Sequence, residues 1–243
     1  MIKAITFDFW DTLYGSFGAE SIIAGRTDTL RRYLRSIGHS LTEDSARRAY
    51  LHAEDRLLRH ARTDWTCPGP ELAVADIFDS LGLRPTQQDT QVLLEQFRST
   101  EITRVNPLPG VPEALAALSA DFRLGLISDT WLTPGSLLRE RMERHGLRRF
   151  FSVLVFSDET GLRKPHSHQF ESALSVLGVR PAECVHVGDT ESTDIRGAKA
   201  SGMKAVLVGA GHAGQATEAD VVVRGFGEVR TAVLRLNRPA CQG

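Results

Sequence analysis

One change of rhythm does most to limit what this chain can fold into. The run Ile2-Lys3-Ala4-Ile5-Thr6-Phe7 is short and largely apolar. From Gly15 to about Glu101, apolar residues recur at helical spacing throughout. Asn106-Pro107-Leu108-Pro109-Gly110 then breaks that pattern. Beyond it, short apolar runs at Arg123 to Ile127, Val153 to Phe156, Cys184 to Val187, Ala205 to Val208 and Asp220 to Val223 alternate with helical segments. Runs of that length flanked by turn residues read as buried strands. Strands alternating with helices imply right-handed βαβ units and a parallel sheet covered on both faces. The run at 2–7 belongs to the same sheet, so a helical block interrupts the sheet-forming sequence after its first strand. The expected class is α/β: a Rossmann-like parallel-sheet core of residues 1–14 and 102–243, with an all-helical domain inserted over 15–101.

Within the block, Ser21 to Ile37 carries Ile22, Ile23, Leu30, Tyr33, Leu34 and Ile37 at helical period, and Gly38 closes it. Arg26, Arg31, Arg32 and Arg35 are expected to form a solvated basic face of this helix. Thr42 is an N-cap candidate, with Glu43 and Asp44 in the first turn of a helix reaching about Ala61. His52 and His60 on that helix are expected at the surface. Asp64-Trp65-Thr66-Cys67-Pro68-Gly69-Pro70 reads as a loop. Two more helices are expected at about Glu71 to Leu81 and Thr86 to Ser99. No internal repeat or low-complexity segment occurs.

Composition narrows the class of function. At 243 residues and 42% hydrophobic, the chain can bury a sizeable core. A formal charge of -1 gives no electrostatic footprint for nucleic acid or an acidic membrane. No leader is expected, because no basic-then-apolar run precedes Asp8, and no apolar run is long enough to span a bilayer. Cys67, Cys184 and Cys241 are scattered and make neither a metal spacing nor a disulfide framework. Cys184 is expected in the core, and a reducing cytoplasm is the expected compartment.

Four polar signals punctuate the strands in order. Asp8 follows the first apolar run, at the edge where open α/β sheets place ligands. Taken alone, such an acid more often caps a turn. Ser128 closes the run Leu124-Gly125-Leu126-Ile127. Lys164, in Gly161-Leu162-Arg163-Lys164-Pro165, is one of only four lysines, with Lys3, Lys199 and Lys204. Asp189 and Asp194, spaced Gly-Asp-x-x-x-x-Asp, follow Cys184-Val185-His186-Val187. Paired acids at a sheet mouth suit Mg²⁺, which takes hard oxygen ligands. The plainer alternative is a helix cap at Asp189 and a surface acid at Asp194. His186, alternating with Val185 and Val187, is expected to be a satisfied core residue.

This ordered set resembles the four motifs of the haloacid dehalogenase (HAD) superfamily of aspartate-nucleophile hydrolases, over nearly the whole chain. The resemblance implies that the helical insert is a cap domain. It implies Asp8 as nucleophile, giving an acyl-phosphate or ester intermediate. Lys164 would neutralise the nucleophile and the phosphoryl group, Ser128 would hydrogen-bond a phosphoryl oxygen, and Thr12 would anchor the loop after Asp8. Asp129 and Thr130 would line the same loop and meet the substrate. Mg²⁺ would be held by Asp8, Asp189, Asp194 and the backbone carbonyl of Trp10.

Trp10 is the departure. Phosphatases of the superfamily carry Asp two residues after the nucleophile, as general acid and base. Indole has a donor N–H and does not titrate usefully. Asp11 is adjacent, and a neighbouring side chain generally points elsewhere. Three readings follow. The first is an Mg²⁺-dependent phosphohydrolase on a small phosphorylated metabolite, favouring good leaving groups or using an acid from the cap. The second is a 2-haloacid dehalogenase-like hydrolase, because those enzymes carry Tyr at the matching position. They lack the Gly-Asp-x-x-x-x-Asp acids present here. The third is a non-catalytic binding protein with a degenerate site. Phosphonate cleavage through a cap lysine is not expected, because residues 15–101 contain no lysine. The expected partner is a small molecule, with no nucleic acid and no membrane, and the chain is expected as a monomer or homodimer.

Overall fold

The computed structural model describes residues 1–15, 19–101, 105–212, 214 and 216–237. Cys241 lies outside them, as does the side chain of His60. Six strands form one parallel sheet: β1 (Ala4–Phe7), β2 (Arg123–Ser128), β3 (Phe151–Phe156), β4 (Cys184–Gly188), β5 (Lys204–Val208) and β6 (Val221–Val223). Their order is β3-β2-β1-β4-β5-β6, the Rossmann-like arrangement. The chain builds outward from β1 to β3, then restarts on the other side of β1 with β4. The switch point lies between β1 and β4, whose register pairs Phe7 with Val187.

Alternation along the strands sorts side chains into two layers. Ile5, Phe7, Leu124, Leu126, Val185 and Val187 pack on one face against α5 (Val111–Ser119), α6 (Gly135–Arg144) and α10 (Val229–Leu236). Ala4, Ile127, Val155, Cys184 and Ala205 pack on the other against α8 (Ser167–Leu177) and α9 (Arg196–Ala200). Burial on both faces explains why the strands read as nearly continuous apolar runs. A short α7 (Ser157–Thr160) follows β3.

The block between β1 and β2 is helical: α1 (Ala19–Ser36), α2 (Glu43–Asp64), α3 (Pro70–Ser80) and α4 (Gln87–Glu101). Leu30, Leu34, Tyr50, Val74, Ile77, Phe78, Leu93 and Phe97 form a core apart from the two sheet layers, joined by Leu132 from the segment after β2. Thr42 caps α2, its hydroxyl accepting the Ser45 N–H at 3.1 Å. The chain leaves and re-enters the α/β layers side by side: Leu108 N–H donates to the Leu13 carbonyl at 2.9 Å. The α2–α3 loop is tied to the segment before Lys164, with Arg163 N–H donating to the Trp65 carbonyl (2.7 Å) and Cys67 N–H to the Gly161 carbonyl (2.9 Å).

The expected basic face of α1 needs one correction. Arg32 and Arg35 are exposed and Arg31 is half-buried, but Arg26 is only 4% exposed. It lies one turn from both Ile22 and Leu30, on the apolar stripe, and donates to Tyr50 Oη at 2.6 Å and Thr133 Oγ1 at 2.9 Å. At the end of α1, Ile37 falls outside the helix and is exposed. Among the described residues, no helix is long and apolar enough to cross a membrane.

Candidate active site

Asp8 follows β1 and Asp189 follows β4, so the parallel register delivers both acids to the crevice at the switch point. Asp8 N–H still continues the ladder, donating to the Val187 carbonyl at 2.9 Å. Asp194 returns to the same place through a π-helical turn over Glu191–Ile195 that leads into α9. That return depends on Gly188. A Cβ there would lie 2.5 Å from Asp194 Cβ and 2.4 Å from Cγ, so only glycine lets the turn close this tightly.

Lys164 lies at the centre. Its Nζ donates to Asp8 Oδ1 and, at 2.6 Å, to Asp194 Oδ1. All three side chains are almost wholly buried. Asp194 Oδ2 accepts the Thr190 N–H at 3.0 Å, and Oδ1 also faces His186 Nε2 at 3.3 Å. The other ring nitrogen of His186 meets Thr6 Oγ1 at 2.9 Å. His186 is thus a buried, satisfied residue that also braces Asp194. Burial holds its pKa below the usual value despite the Asp194 carboxylate.

The electrostatics follow from charge count and burial. Burial opposes charge on Lys164, yet Asp194, Asp8 and Asp129 outweigh it and hold the ammonium above its ordinary pKa. Burial likewise opposes charge on Asp194, but Lys164 and His186 keep it strongly acidic. Asp8 is held well above the usual carboxylate range by burial. Lys164 counters this, while Asp194 and Asp189 add to it. Asp189 is pushed up to about 6, by burial and then by Asp194.

Oxygens of Asp8, Asp189 and Asp194 lie within 4.8 Å of one another. Three hard oxygen donors converging at a sheet mouth suit Mg²⁺, and the raised Asp8 and Asp189 are acids that a dication would favour in ionised form. The residues therefore fit the metal.

The other residues singled out by sequence surround this cluster. Ser128, at the end of β2, is buried, and its hydroxyl donates to the Asp129 carbonyl at 3.3 Å. Asp129 Oδ1 accepts the Lys164 N–H at 3.0 Å and Oδ2 lies 3.7 Å from Arg163 Nε. The Thr130 hydroxyl is committed to Asp158 Oδ1 at 2.6 Å, which ties the loop to α7. Thr12 is fully buried, and its hydroxyl makes no hydrogen bond to a described residue. Asp11, with φ +53, occupies the left-handed region that Asp tolerates better than most residues. Half-buried Trp10 packs edge-on to Phe9, with ring centroids 4.9 Å apart.

Trp10 also opens onto a cavity of ≈190 Å³ walled by Arg26, Glu54, Trp131 and Arg163. Sequence reasoning missed these residues as a group. Only Arg26 left a signal, through its place on the apolar stripe of α1.

Comparison with known proteins bears on what this arrangement does. The family model of haloacid dehalogenase-like hydrolases matches residues 2–202. A glyceraldehyde 3-phosphate phosphatase of Methanopyrus kandleri is 29% identical over 223 residues, 86% of this chain and 84% of its own. The crystal structure of an HAD phosphatase from Thermococcus onnurineus superposes with a TM-score of 0.66 at 25% identity, over 96% of this chain and 98% of that one. A 2-haloacid dehalogenase from Pseudomonas syringae pv. Tomato DC3000 superposes with a TM-score of 0.69 at 25% identity, over 97% and 99%.

Proposed function

Because the chain belongs to the haloacid dehalogenase-like hydrolases, we propose that it is an Mg²⁺-dependent phosphohydrolase acting on a small phosphorylated metabolite. The observation that carries this reading is the acid cluster Asp8, Asp189 and Asp194 closed around Lys164 at the switch point. The name of the Methanopyrus kandleri relative, a phosphatase of a small phosphorylated metabolite, supports the substrate class. In this reading residues 15–101 are the cap domain, and 1–14 with 102–243 the core. The enzyme works in the cytoplasm as a monomer or homodimer.

Asp8, Asp189, Asp194 and the Trp10 carbonyl would hold Mg²⁺, which when bound supplies positive charge against the phosphoryl oxygens. An Asp8 carboxylate oxygen attacks phosphorus, and the bond to the leaving oxygen breaks with its electron pair on that oxygen. Water then attacks the aspartyl phosphate and restores the Asp8 carboxylate. Lys164 offsets negative charge at the nucleophile, and Ser128 donates to a phosphoryl oxygen. Trp10 donates no titratable proton, so leaving groups of low pKa are favoured.

A second reading, 2-haloacid dehalogenation, is favoured by the aromatic residue at position 10, since halide departs without a proton. The Asp189 and Asp194 pair argues against it.

One screen separates the two. Phosphomonoesters, acyl phosphates and 2-haloacids are assayed with and without Mg²⁺. Mg²⁺-dependent phosphate release, faster from aryl than from alkyl esters and abolished in Asp8→Asn, is the expected result. Trp10→Asp should raise alkyl-ester turnover, with general acid–base catalysis setting a ceiling of roughly 10²–10⁴-fold. Metal-independent halide release with no phosphate turnover would overturn the phosphohydrolase reading.

A further inference from the structure

The cavity beside Trp10 adjoins the site already described at three points. Trp10 is two residues past Asp8, Asp129 follows Ser128, and Arg163 precedes Lys164. The cavity is thus next to the proposed phosphoryl site, where a leaving group needs room. The apolar part of the wall is Trp10, Leu57, Trp131 and Leu132.

The polar part is unusual. Arg163 is largely buried, its Nε 3.7 Å from Asp129 Oδ2, and its Nη1 is buried with no hydrogen-bond partner among the described residues. A buried guanidinium N–H without an acceptor carries an uncompensated desolvation cost. Arg26, on the helical side of the cavity, spends two N–H bonds on the uncharged oxygens of Tyr50 and Thr133. Two acids also face the space. Asp129 already accepts the Lys164 backbone N–H, and burial pushes the Glu54 carboxyl upward against the pull of Arg26.

We propose that this cavity receives the leaving group of the phosphomonoester, and that Arg163, with Arg26 opposite, selects leaving groups that carry a carboxylate. This inference rests on the phosphohydrolase reading. A carboxylate matches the planar guanidinium fork, and Arg163 and Arg26 are the two cations that line this cavity. Placing the anion beyond the indoles keeps it away from the acids that hold the phosphoryl group.

The test uses a matched pair with Mg²⁺, 4-carboxyphenyl phosphate and its neutral isostere 4-carbamoylphenyl phosphate. Both leaving groups are phenolates, so neither depends on a strong general acid. Wild type should prefer the carboxylate by roughly 10–100-fold in kcat/KM, mostly through KM. Arg163→Met should shrink that ratio, and Arg163→Lys should keep part of it. Equal turnover of the two esters by wild type would overturn the inference while leaving the phosphohydrolase reading intact. No phosphate from either ester, or from any in the wider screen, would overturn both. A variant that slows both esters equally would make Arg163 a positioner of Lys164 and not a selector. Should Arg163→Met fail to fold, the wild-type ratio alone decides.

Discussion

The crevice at the sheet edge and the surface of the helical block use the same chemistry, a cation against a carboxylate, in opposite surroundings. Lys164 meets Asp8 and Asp194 with every side chain almost wholly out of water. Arg48 meets Asp44, Arg59 meets Asp55 and Arg32 meets Asp28 one helical turn apart, with more than half of each side chain exposed. Water screens the second kind of pair and leaves it worth little. In the first kind, each charge has been stripped of solvent and depends on its partner. Similar contacts therefore mark chemistry in one region and solubility in the other.

The sharpest way to break that contrast is Lys164→Ala. Removing the cation strands two buried carboxylates, and breaking a buried pair in this way costs about 3–5 kcal/mol. Loss of a charge-stabilising donor at the reacting group should also cut turnover by roughly 10²–10³-fold. Urea titration and phosphate release measure the two effects. An unchanged unfolding midpoint would mean that water reaches the crevice and that the two regions do not differ.

Phe78→Ala asks what the helical block depends on instead. Phe78 is almost fully buried in the core of the block and carries no charge itself. Truncation of a buried Phe costs about 3–5 kcal/mol through lost contacts and the cavity left behind. The loss should be the same across neutral and mildly acidic pH and at high salt, unlike that of Lys164→Ala. A loss that followed pH would show that the block leans on the charged crevice for its stability.

The contrast also explains what the sequence disclosed. β1 to β6 were legible because strands buried on both faces must be apolar. Asp8 and Asp189 stood out as acids directly after apolar runs, while Lys164 and Asp194, which lie in a loop and a helical turn, stood out only through the ordered set that the family resemblance carries. Strand limits were less legible. β3 begins at Phe151, two residues before the expected start, since Phe151 and Ser152 carry no boundary signal. Arg26 was misjudged because a long basic side chain on a helix usually reaches solvent, and here Tyr50 and Thr133 intercept it. Glu54, Trp131 and Arg163 come from three distant segments. Only tertiary packing brings them to one cavity, so no local pattern announces them.

Asp189 offers a finer test of the crevice. Its folded-state pKa, about 6, lies above the ordinary 3.8. Without metal, this group's contribution to stability is full below the unfolded pKa and is lost as pH rises through about 6. In the proposed site Mg²⁺ would need the ionised Asp189 carboxylate, so its contribution would have the opposite sign. At Mg²⁺ near a hundred times its Kd, the gain at neutral pH is ~2.7 kcal/mol. One unit below the Asp189 pKa that gain should fall by ~1.4 kcal/mol. Thermal melts with and without Mg²⁺ from pH 8 to pH 5 measure it, and Asp189→Asn should flatten the dependence. A Mg²⁺-induced shift that grows as pH falls would exclude Asp189 as a ligand.

The smallest effect is expected at the pair Asp44 and Arg48 on α2. Both side chains are about two-thirds exposed, and the acid precedes the base by four residues, the favourable order on a helix. The coupling measured by a double-mutant cycle should be about 0.3–0.5 kcal/mol and should fade in high salt. The two single variants should nonetheless differ. Asp44 lies in the first turn of α2, where a negative charge also meets the unpaired N–H groups behind the Thr42 cap. That interaction adds about 0.3–1 kcal/mol that Arg48 does not share. Asp44→Ala should therefore cost more than Arg48→Ala, and the excess should survive in the Arg48→Ala background. Equal costs would mean that the pair alone accounts for Asp44. A coupling above about 1 kcal/mol would exceed what exposed pairs normally give. The surface of the helical block would then behave like the crevice, and the distinction between the two regions would fail.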